Sequence, residues 1–205
     1  MTSHPKDLSD ELIDVMGSGR HILPQFHLPV QSGSDEILKK MNRHYTREQY
    51  LDRVNKLREA VPGIGLSTDI IVGFPGETDD DFRETLSLVE EVRYDSAFTF
   101  IYSPRVGTRA AEMDGQISSQ VATDRIQKLI ELQENLQQDT MKRFIGTEEE
   151  ILVEGYSRRS DLEVSGKGRH GISITVRGSG EDLGKILRCS VTGLKNNTLT
   201  AERAE

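Results

Sequence analysis

The chain has 205 residues, 35% of them hydrophobic, and a formal net charge of −8, which is typical of a soluble globular protein. The acidic balance argues against non-specific nucleic-acid binding by the whole chain, and no apolar run approaches the roughly 18–20 residues of a membrane span. Cys189 is the single cysteine, which excludes an intramolecular disulfide and a cluster held by this chain's own thiolates. We therefore expect a reducing, cytoplasmic setting without a membrane partner.

Helices and strands alternate along the first half of the chain. Hydrophobic spacing and capping residues predict helices at 7–17, 34–41, 46–60 and 81–92, and strands within 22–30 and at 65–72 and 97–102. This order predicts a parallel sheet or part of a barrel, and three strands do not close a barrel. Since the pattern begins at a helix, we expect that the front of the domain is missing and that the open side makes the chain prone to associate.

A glycine-rich motif, Gly73-Phe74-Pro75-Gly76-Glu77, lies between the strand at 65–72 and Thr78, a predicted helix N-cap. Glycine allows close approach of a backbone to a ligand, and ligands of α/β folds bind at the carboxyl edge of the strands. From this motif alone, a tight turn without a ligand is an equally good interpretation.

The pattern changes near residues 145–147. A long helix is predicted at 118–144, and Gly146 ends it. Five short alternating runs follow, which favours a small all-β barrel. We therefore predict an α/β unit at 1–116, a connecting helix at 117–146 and a β-barrel at 147–205.

Five strings, taken together, resemble the methylthiotransferase family of radical S-adenosylmethionine (SAM) enzymes. They are residues 2–7 (TSHPKD), 27–34 (HLPVQSGS), 41–45 (MNRHY), 67–78 (STDIIVGFPGET) and 98–108 (FTFIYSPRVGT). The resemblance implies an α/β fold, a partial, open TIM-like radical SAM barrel, followed by a small all-β RNA-binding barrel of the TRAM type.

Within that family, residues 31–34 and 95–100 are most similar to the branch that adds a methylthio group to C2 of N6-isopentenyladenosine beside the tRNA anticodon. Relatives that modify threonylcarbamoyladenosine in tRNA or an aspartate of a ribosomal protein remain alternatives, as does a non-catalytic RNA-binding fragment. The implied cofactors are SAM and [4Fe-4S] clusters. The family's CxxxCxxC motif does not occur here, so we expect the cluster ligands in a missing N-terminal part and no catalytic or metal-binding residue in this chain.

The resemblance also implies a SAM site at the strand ends. Ile71 and Gly73 would pack near the adenine, and the backbone at Phe100–Tyr102 would bond its edge. Gln31 and Asp69 would reach the ribose or the methionine end of SAM. A cap or a structural ion pair remains the alternative for Asp69, and core packing remains the alternative for the Phe100 and Tyr102 side chains.

The predicted RNA contacts lie on one loop and on the barrel. Arg105, after the last strand of the sheet, would face either the tRNA anticodon arm or the cofactor carboxylate. Tyr156 would stack on an unpaired base, and the phosphate contacts would come from Arg158, Arg159, Lys167, Arg169 and Arg177. A solvated charged loop remains the alternative. His27 and His44 have no spaced set of partners, so we predict structural roles for them.

Overall fold

The computed structural model describes residues 4–19, 21–157 and 160–204. These residues form a three-stranded parallel sheet with helices and a closed five-stranded barrel. None of the helices in the described ranges is long and apolar enough to span a membrane.

The parallel sheet has the order β1-β2-β3, with the longest strand in the centre. Its strands are β1 (Gln25–His27), β2 (Gly65–Val72) and β3 (Ser96–Ile101). The helices that accompany it are α1 (Asp10–Gly17), α2 (Asp35–Lys40), α3 (Arg47–Ala60) and α4 (Asp79–Val92). Capping boxes at Thr46 and Thr78 fix where α3 and α4 begin, and both caps agree with the sequence prediction.

The two faces of β2 have different environments. Thr68, Ile70 and Val72 point to the helix side and are fully buried. On the other face, Asp69 and Ile71 are half-buried and lie in register with two phenylalanines of β3. Those phenylalanines, Phe98 and Phe100, expose 57% and 50% of their surface. The sheet is therefore sealed on one face and open on the other, as a part of a barrel is expected to be.

A long helix, α5 (Ser119–Met141), crosses the sheet and leads to the barrel. Leu129 of this helix is buried, and its Gln133 side-chain amide donates to the Tyr94 carbonyl at 2.9 Å. Val121 is exposed, and Ala122 and Arg125 occupy the buried face.

The C-terminal strands close into a barrel in the order β4-β5-β6-β8-β7. They are β4 (Glu148–Ser157), β5 (Ser160–Gly168), β6 (Ser173–Arg177), β7 (Ile186–Lys195) and β8 (Thr198–Arg203). Cys189 lies within the barrel's apolar core, where its thiol donates to the Glu149 carbonyl at 3.4 Å. The structure agrees with the predicted number of strands.

The barrel contacts the amino-terminal edge of the sheet. Just before the barrel begins, Arg143 donates to the Asp95 carboxylate at 2.8 Å, and the other oxygen of Asp95 accepts from the Leu66 backbone at 2.8 Å. At the start of β2, a Cβ on Gly65 would lie 2.4 Å from the His170 carbonyl oxygen. The absence of a side chain at Gly65 therefore lets the barrel approach the sheet this closely.

Candidate functional site

An open cleft of about 960 Å³ lies at the carboxyl ends of the three strands, opposite the barrel. It is lined by six of the residues that sequence reasoning assigned to the SAM site or the RNA loop: Gln31, Asp69, Ile71, Phe100, Tyr102 and Arg105. The structure therefore brings these six residues to one place.

Gln31 is held at the edge of the cleft by the backbone of β2. Its N–H donates to the Asp69 carbonyl at 2.8 Å, and its carbonyl accepts from the Ile71 N–H at 2.9 Å. Its φ of 70° lies in the left-handed region, which is uncommon for a residue other than glycine. The two hydrogen bonds fix this conformation, and the side chain remains only 7% exposed.

Asp69 has a partner beside it on β1. The Nε2 of His27 lies 3.5 Å from the Asp69 carboxylate, and the Nδ1 of the same ring lies 2.9 Å from the Ser67 hydroxyl. Asp69 thus has a structural partner, as the sequence left open, and the contact agrees with a structural role for His27. The Asp69 carboxylate still lines the cleft.

Tyr102 offers an unsatisfied hydroxyl. Its oxygen is buried and has no hydrogen-bond partner among the described residues, and its ring meets the edge of Phe74 at 5.0 Å between centroids. The Tyr102 N–H donates to the Val72 carbonyl at 2.9 Å, so the backbone N–H has a partner and the hydroxyl does not. The core alternative for Phe100 is wrong, because half of that side chain is exposed.

Gly73, also predicted for the SAM site, is not among the residues that line the cleft and lies against α5 instead. Its φ is 75°, and an added Cβ would lie 3.0 Å from the Ala122 methyl group. Its N–H donates to the Glu77 carboxylate at 2.8 Å, and Arg125 of α5 donates to the same carboxylate oxygen at 2.7 Å. The glycine motif is therefore fixed to the long helix.

Glu77 and Arg125 form a buried pair that sequence reasoning missed. The Glu77 side chain is 1% exposed and that of Arg125 is 7% exposed. Burial raises the pKa of Glu77, against the opposing effects of the Gly73 N–H and the Arg125 guanidinium. The partners lie 48 residues apart, so no local pattern could have indicated the pair.

Four basic residues at the mouth of the cleft were also missed: Lys39, Lys40, Arg43 and Arg109. Three of them follow one another at the end of α2, where Asn42 and His44 turn the chain with φ values of 60° and 57°. The basic run at 39–43 was visible in the sequence, but its position at the cleft depends on this turn.

The residues predicted to bind RNA on the barrel do not form one cluster. Arg177 pairs across the sheet with Glu163, four positions before Lys167 on β5, so the two basic residues lie roughly 13 Å apart along the strands. Tyr156, half-exposed on β4, lies towards the Arg177 end. Arg169 lies in a shallow pocket with the glutamates of residues 148–150. Arg158 and Arg159 lie outside the described residues.

Comparison with known proteins identifies the first part of this fold. The Radical SAM superfamily profile matches residues 1–89. These residues are thus similar to the radical SAM superfamily. A solved structure titled as coproporphyrinogen III oxidase from Escherichia coli, a radical SAM enzyme, aligns with 66% of this chain and 31% of its own. Its TM-score is 0.55 at 21% identity, which supports a shared fold.

Curated relatives match the radical SAM segment and the barrel together. A tRNA-2-methylthio-N(6)-dimethylallyladenosine synthase from Clostridium botulinum (strain Okra / Type B1) is 48% identical over 98% of this chain and 45% of its own length. Proteins of the same name from Carboxydothermus hydrogenoformans and Anoxybacillus flavithermus are 49% and 47% identical over 93% and 100% of this chain, and over 43% and 39% of their own lengths. The resemblance to radical SAM methylthiotransferases is confirmed. The chain spans less than half the length of these relatives.

The residues present fit the two cofactors that similarity to the radical SAM superfamily implies to different extents. The cleft offers the unsatisfied Tyr102 hydroxyl, the Asp69 carboxylate and the exposed ring of Phe100, which suit a nucleoside with polar ends. A [4Fe-4S] cluster does not fit, because it needs several thiolates and the chain has one cysteine. Burial raises the pKa of the Cys189 thiol to about 11, so that thiol stays protonated at neutral pH.

Proposed function

We propose that this chain is part of a tRNA methylthiotransferase that adds a methylthio group to C2 of N6-isopentenyladenosine next to the anticodon. The observation that carries the proposal is the 48% identity over 98% of the chain to a relative named for that product. The thiolates that hold the iron–sulfur clusters then belong to a part of the protein outside these 205 residues.

In this proposal, the strand-end cleft binds SAM. When bound, SAM and the clusters supply the radical chemistry and the methyl group. Ile71 and Phe100 provide the apolar surface for the adenine, and the Tyr102 hydroxyl donates to a polar atom of the ligand. Gln31 and Asp69 hold the ribose or the methionine end, and the Glu77–Arg125 pair keeps the glycine motif in place below them.

We further propose that residues 1–116, 117–146 and 147–205 act as the SAM-binding unit, the connecting helix and a TRAM-type RNA-binding barrel. The closed barrel with its apolar core and the half-exposed Tyr156 support this division. The anticodon loop is single-stranded, and an exposed aromatic ring suits an unpaired base.

The gene that encodes this chain provides the test. Its deletion is expected to remove 2-methylthio-N6-isopentenyladenosine from digested tRNA and to leave N6-isopentenyladenosine in its place, measured by liquid chromatography and mass spectrometry. The intact gene should restore the product, and a Tyr102→Phe gene should restore it more slowly because only the unsatisfied hydroxyl is lost. Retention of the methylthio nucleoside contradicts the proposal. A loss confined to the threonylcarbamoyladenosine derivative or to a modified ribosomal aspartate favours the corresponding alternative.

A further inference from the structure

Five basic side chains surround the mouth of the strand-end cleft and are together called the basic rim: Lys39, Lys40, Arg43, Arg105 and Arg109. Among the described residues that line the cleft, Asp69 is the single acidic one, and His27 lies beside it. A chain with a net charge of −8 thus concentrates positive charge around one opening.

The basic rim differs from other basic residues of the chain in its lack of partners. Arg47 pairs with Glu91 at 2.9 Å, Arg125 with Glu77 at 2.7 Å and Arg143 with Asp95 at 2.8 Å. Within residues 4–19, 21–157 and 160–204, by contrast, no residue of the basic rim lies within 4.0 Å of a carboxylate oxygen.

Lys40 shows how little of the basic rim's hydrogen-bonding capacity is used internally. Its ammonium group donates to the Gly76 carbonyl at 3.0 Å, which leaves two of its three donors for another molecule. Lys39, Arg105 and Arg109 are exposed, and Arg43 is partly buried. Repulsion between five like charges around one opening is unfavourable unless an anion neutralises them.

The position of the barrel adds a second argument. The barrel contacts the sheet at Gly65, at the start of β2, whereas the cleft lies beyond Val72, at the end of the same strand. Seven residues of extended strand separate these points by roughly 23 Å. An RNA held by the barrel alone would therefore lack positive contacts at the cleft.

We propose that the basic rim is a phosphodiester-binding site that holds the backbone of a single-stranded RNA segment across the mouth of the cleft. This inference rests on the proposed function for the identity of the RNA. Five unpaired cations exceed what one small carboxylate or phosphate needs, so the number favours a polyanion. Such contacts position the RNA and do not read its bases.

The test compares two variants that lose the same charge. Lys39→Gln/Arg109→Gln removes two positive charges from the basic rim, and Arg83→Gln/Lys128→Gln removes two exposed ones from the outer sides of α4 and α5. Binding of a fluorescent hairpin RNA with a single-stranded loop is measured by anisotropy against salt, with the 205-residue chain. The first variant is expected to bind on the order of tenfold more weakly at low salt and to have a salt slope smaller by about 1.4, whereas the control keeps the wild-type values.

Further outcomes decide the inference. Lys39→Arg/Arg109→Lys keeps the charge and should keep the affinity, which separates charge from packing. Equal affinities of the rim variant and its control would overturn the inference, as would a loss seen only in a Lys167→Gln/Arg169→Gln barrel variant. Full displacement of the RNA by adenosine monophosphate at equal phosphate concentration would show a small-anion site instead. The nucleoside assay does not enter this test, so either proposal can fail alone.

Discussion

The parallel sheet and the barrel use short strands in opposite ways. The barrel joins its five strands into a closed ring and keeps its apolar side chains inside it. The sheet has three strands, one face sealed by helices and the other lined by half-exposed Phe98 and Phe100. Closure leaves a barrel without unpaired strand edges, whereas an open sheet leaves edges and apolar surface that a ligand or another protein segment can cover.

The two units also differ in their buried polar groups. In the barrel, the buried groups are mostly apolar and the backbone hydrogen bonds close on themselves. On the sheet, a buried carboxylate, a buried guanidinium and an unsatisfied tyrosine hydroxyl lie at or below one cleft. Among the described residues, six buried side-chain atoms have no hydrogen-bond partner: four lie in the sheet unit and its long helix, and two, on His170 and Asn197, lie in the barrel.

Arg125→Ala should have the largest effect on the free energy of unfolding, and it should act on the sheet unit. It leaves the Glu77 carboxylate buried without its cation, which typically costs about 3–5 kcal/mol of the free energy of unfolding. Urea unfolding with hydrogen exchange should locate the loss in the sheet unit. Lys128→Ala, on the exposed side of the same helix, should stay within about 0.5 kcal/mol. An equal loss of protection in the barrel would contradict the separation of the two units.

Gly65→Ala tests the joint between the units and should have an intermediate effect of about 1–3 kcal/mol. The added Cβ would lie 2.4 Å from the His170 carbonyl oxygen, so the barrel must move away from the sheet. Hydrogen exchange should rise at the contact around residues 168–172, while the barrel core stays protected. Gly155→Ala is the control, since its Cβ would meet no atom within 4 Å. Unchanged exchange at 168–172 would show that the contact is not tight.

Phe98→Ser with Phe100→Ser should reduce self-association of the chain. Both rings expose half or more of their surface on the open face, and contiguous exposed aromatic surface favours association. Sedimentation velocity at several concentrations should show a shift towards the monomer, whereas Leu162→Ser on the exposed barrel surface should not change it. Wild-type chain that is monomeric throughout would remove the basis of this prediction.

The smallest expected effect is a pH dependence of the free energy of unfolding, with one sign for an aspartate of the barrel and the opposite sign for an aspartate of the sheet unit. The Ser179 N–H and Arg203 lower the pKa of Asp182 in the barrel, so its stabilising contribution is present above the ordinary value of 3.8 and is lost as pH falls through the lower, folded value. Burial raises the pKa of Asp95 in the sheet, so its contribution increases as pH falls towards 3.8.

Asp182→Asn and Asp95→Asn separate the two signs in urea titrations at several pH values. The stability difference between wild type and Asp182→Asn should shrink on acidification below pH 3.8, because the wild-type carboxylate then loses its charge. In the Asp95→Asn comparison, the wild-type protein should gain stability relative to the variant as the pH falls through the raised pKa of Asp95. Parallel curves for the two variants would contradict the assigned directions.

Most of the fold could be predicted from local patterns. The caps at Thr46 and Thr78, the strand at 65–72 and the five barrel strands all come from short-range spacing, which a sequence shows directly. The strand predicted within 22–30 is present but short, because β1 pairs with β2 over three residues only. Its remaining residues turn into the loop that carries Gln31.

The candidate site was predicted only where its residues follow a strand. Asp69, Ile71 and Phe100 follow from strand periodicity and the family resemblance, and their meeting in one cleft agrees with the parallel register. Arg125 could not be found this way, since a charged residue on a helix is predicted to be exposed unless its distant partner is known. Whether these residues bind SAM stays a prediction.

The helix α5 has a mechanical consequence. Its first turns hold the glycine motif through Arg125, and Met141 at its end belongs to the barrel core. Its 23 residues span roughly 34 Å without interruption, so it acts as a stiff rod between the two units. One inserted residue would rotate the barrel by roughly 100° about the helix axis and move it about 1.5 Å. The length of this helix therefore sets the distance between the cleft and the barrel, and in the proposed function it sets the separation of their two RNA contacts.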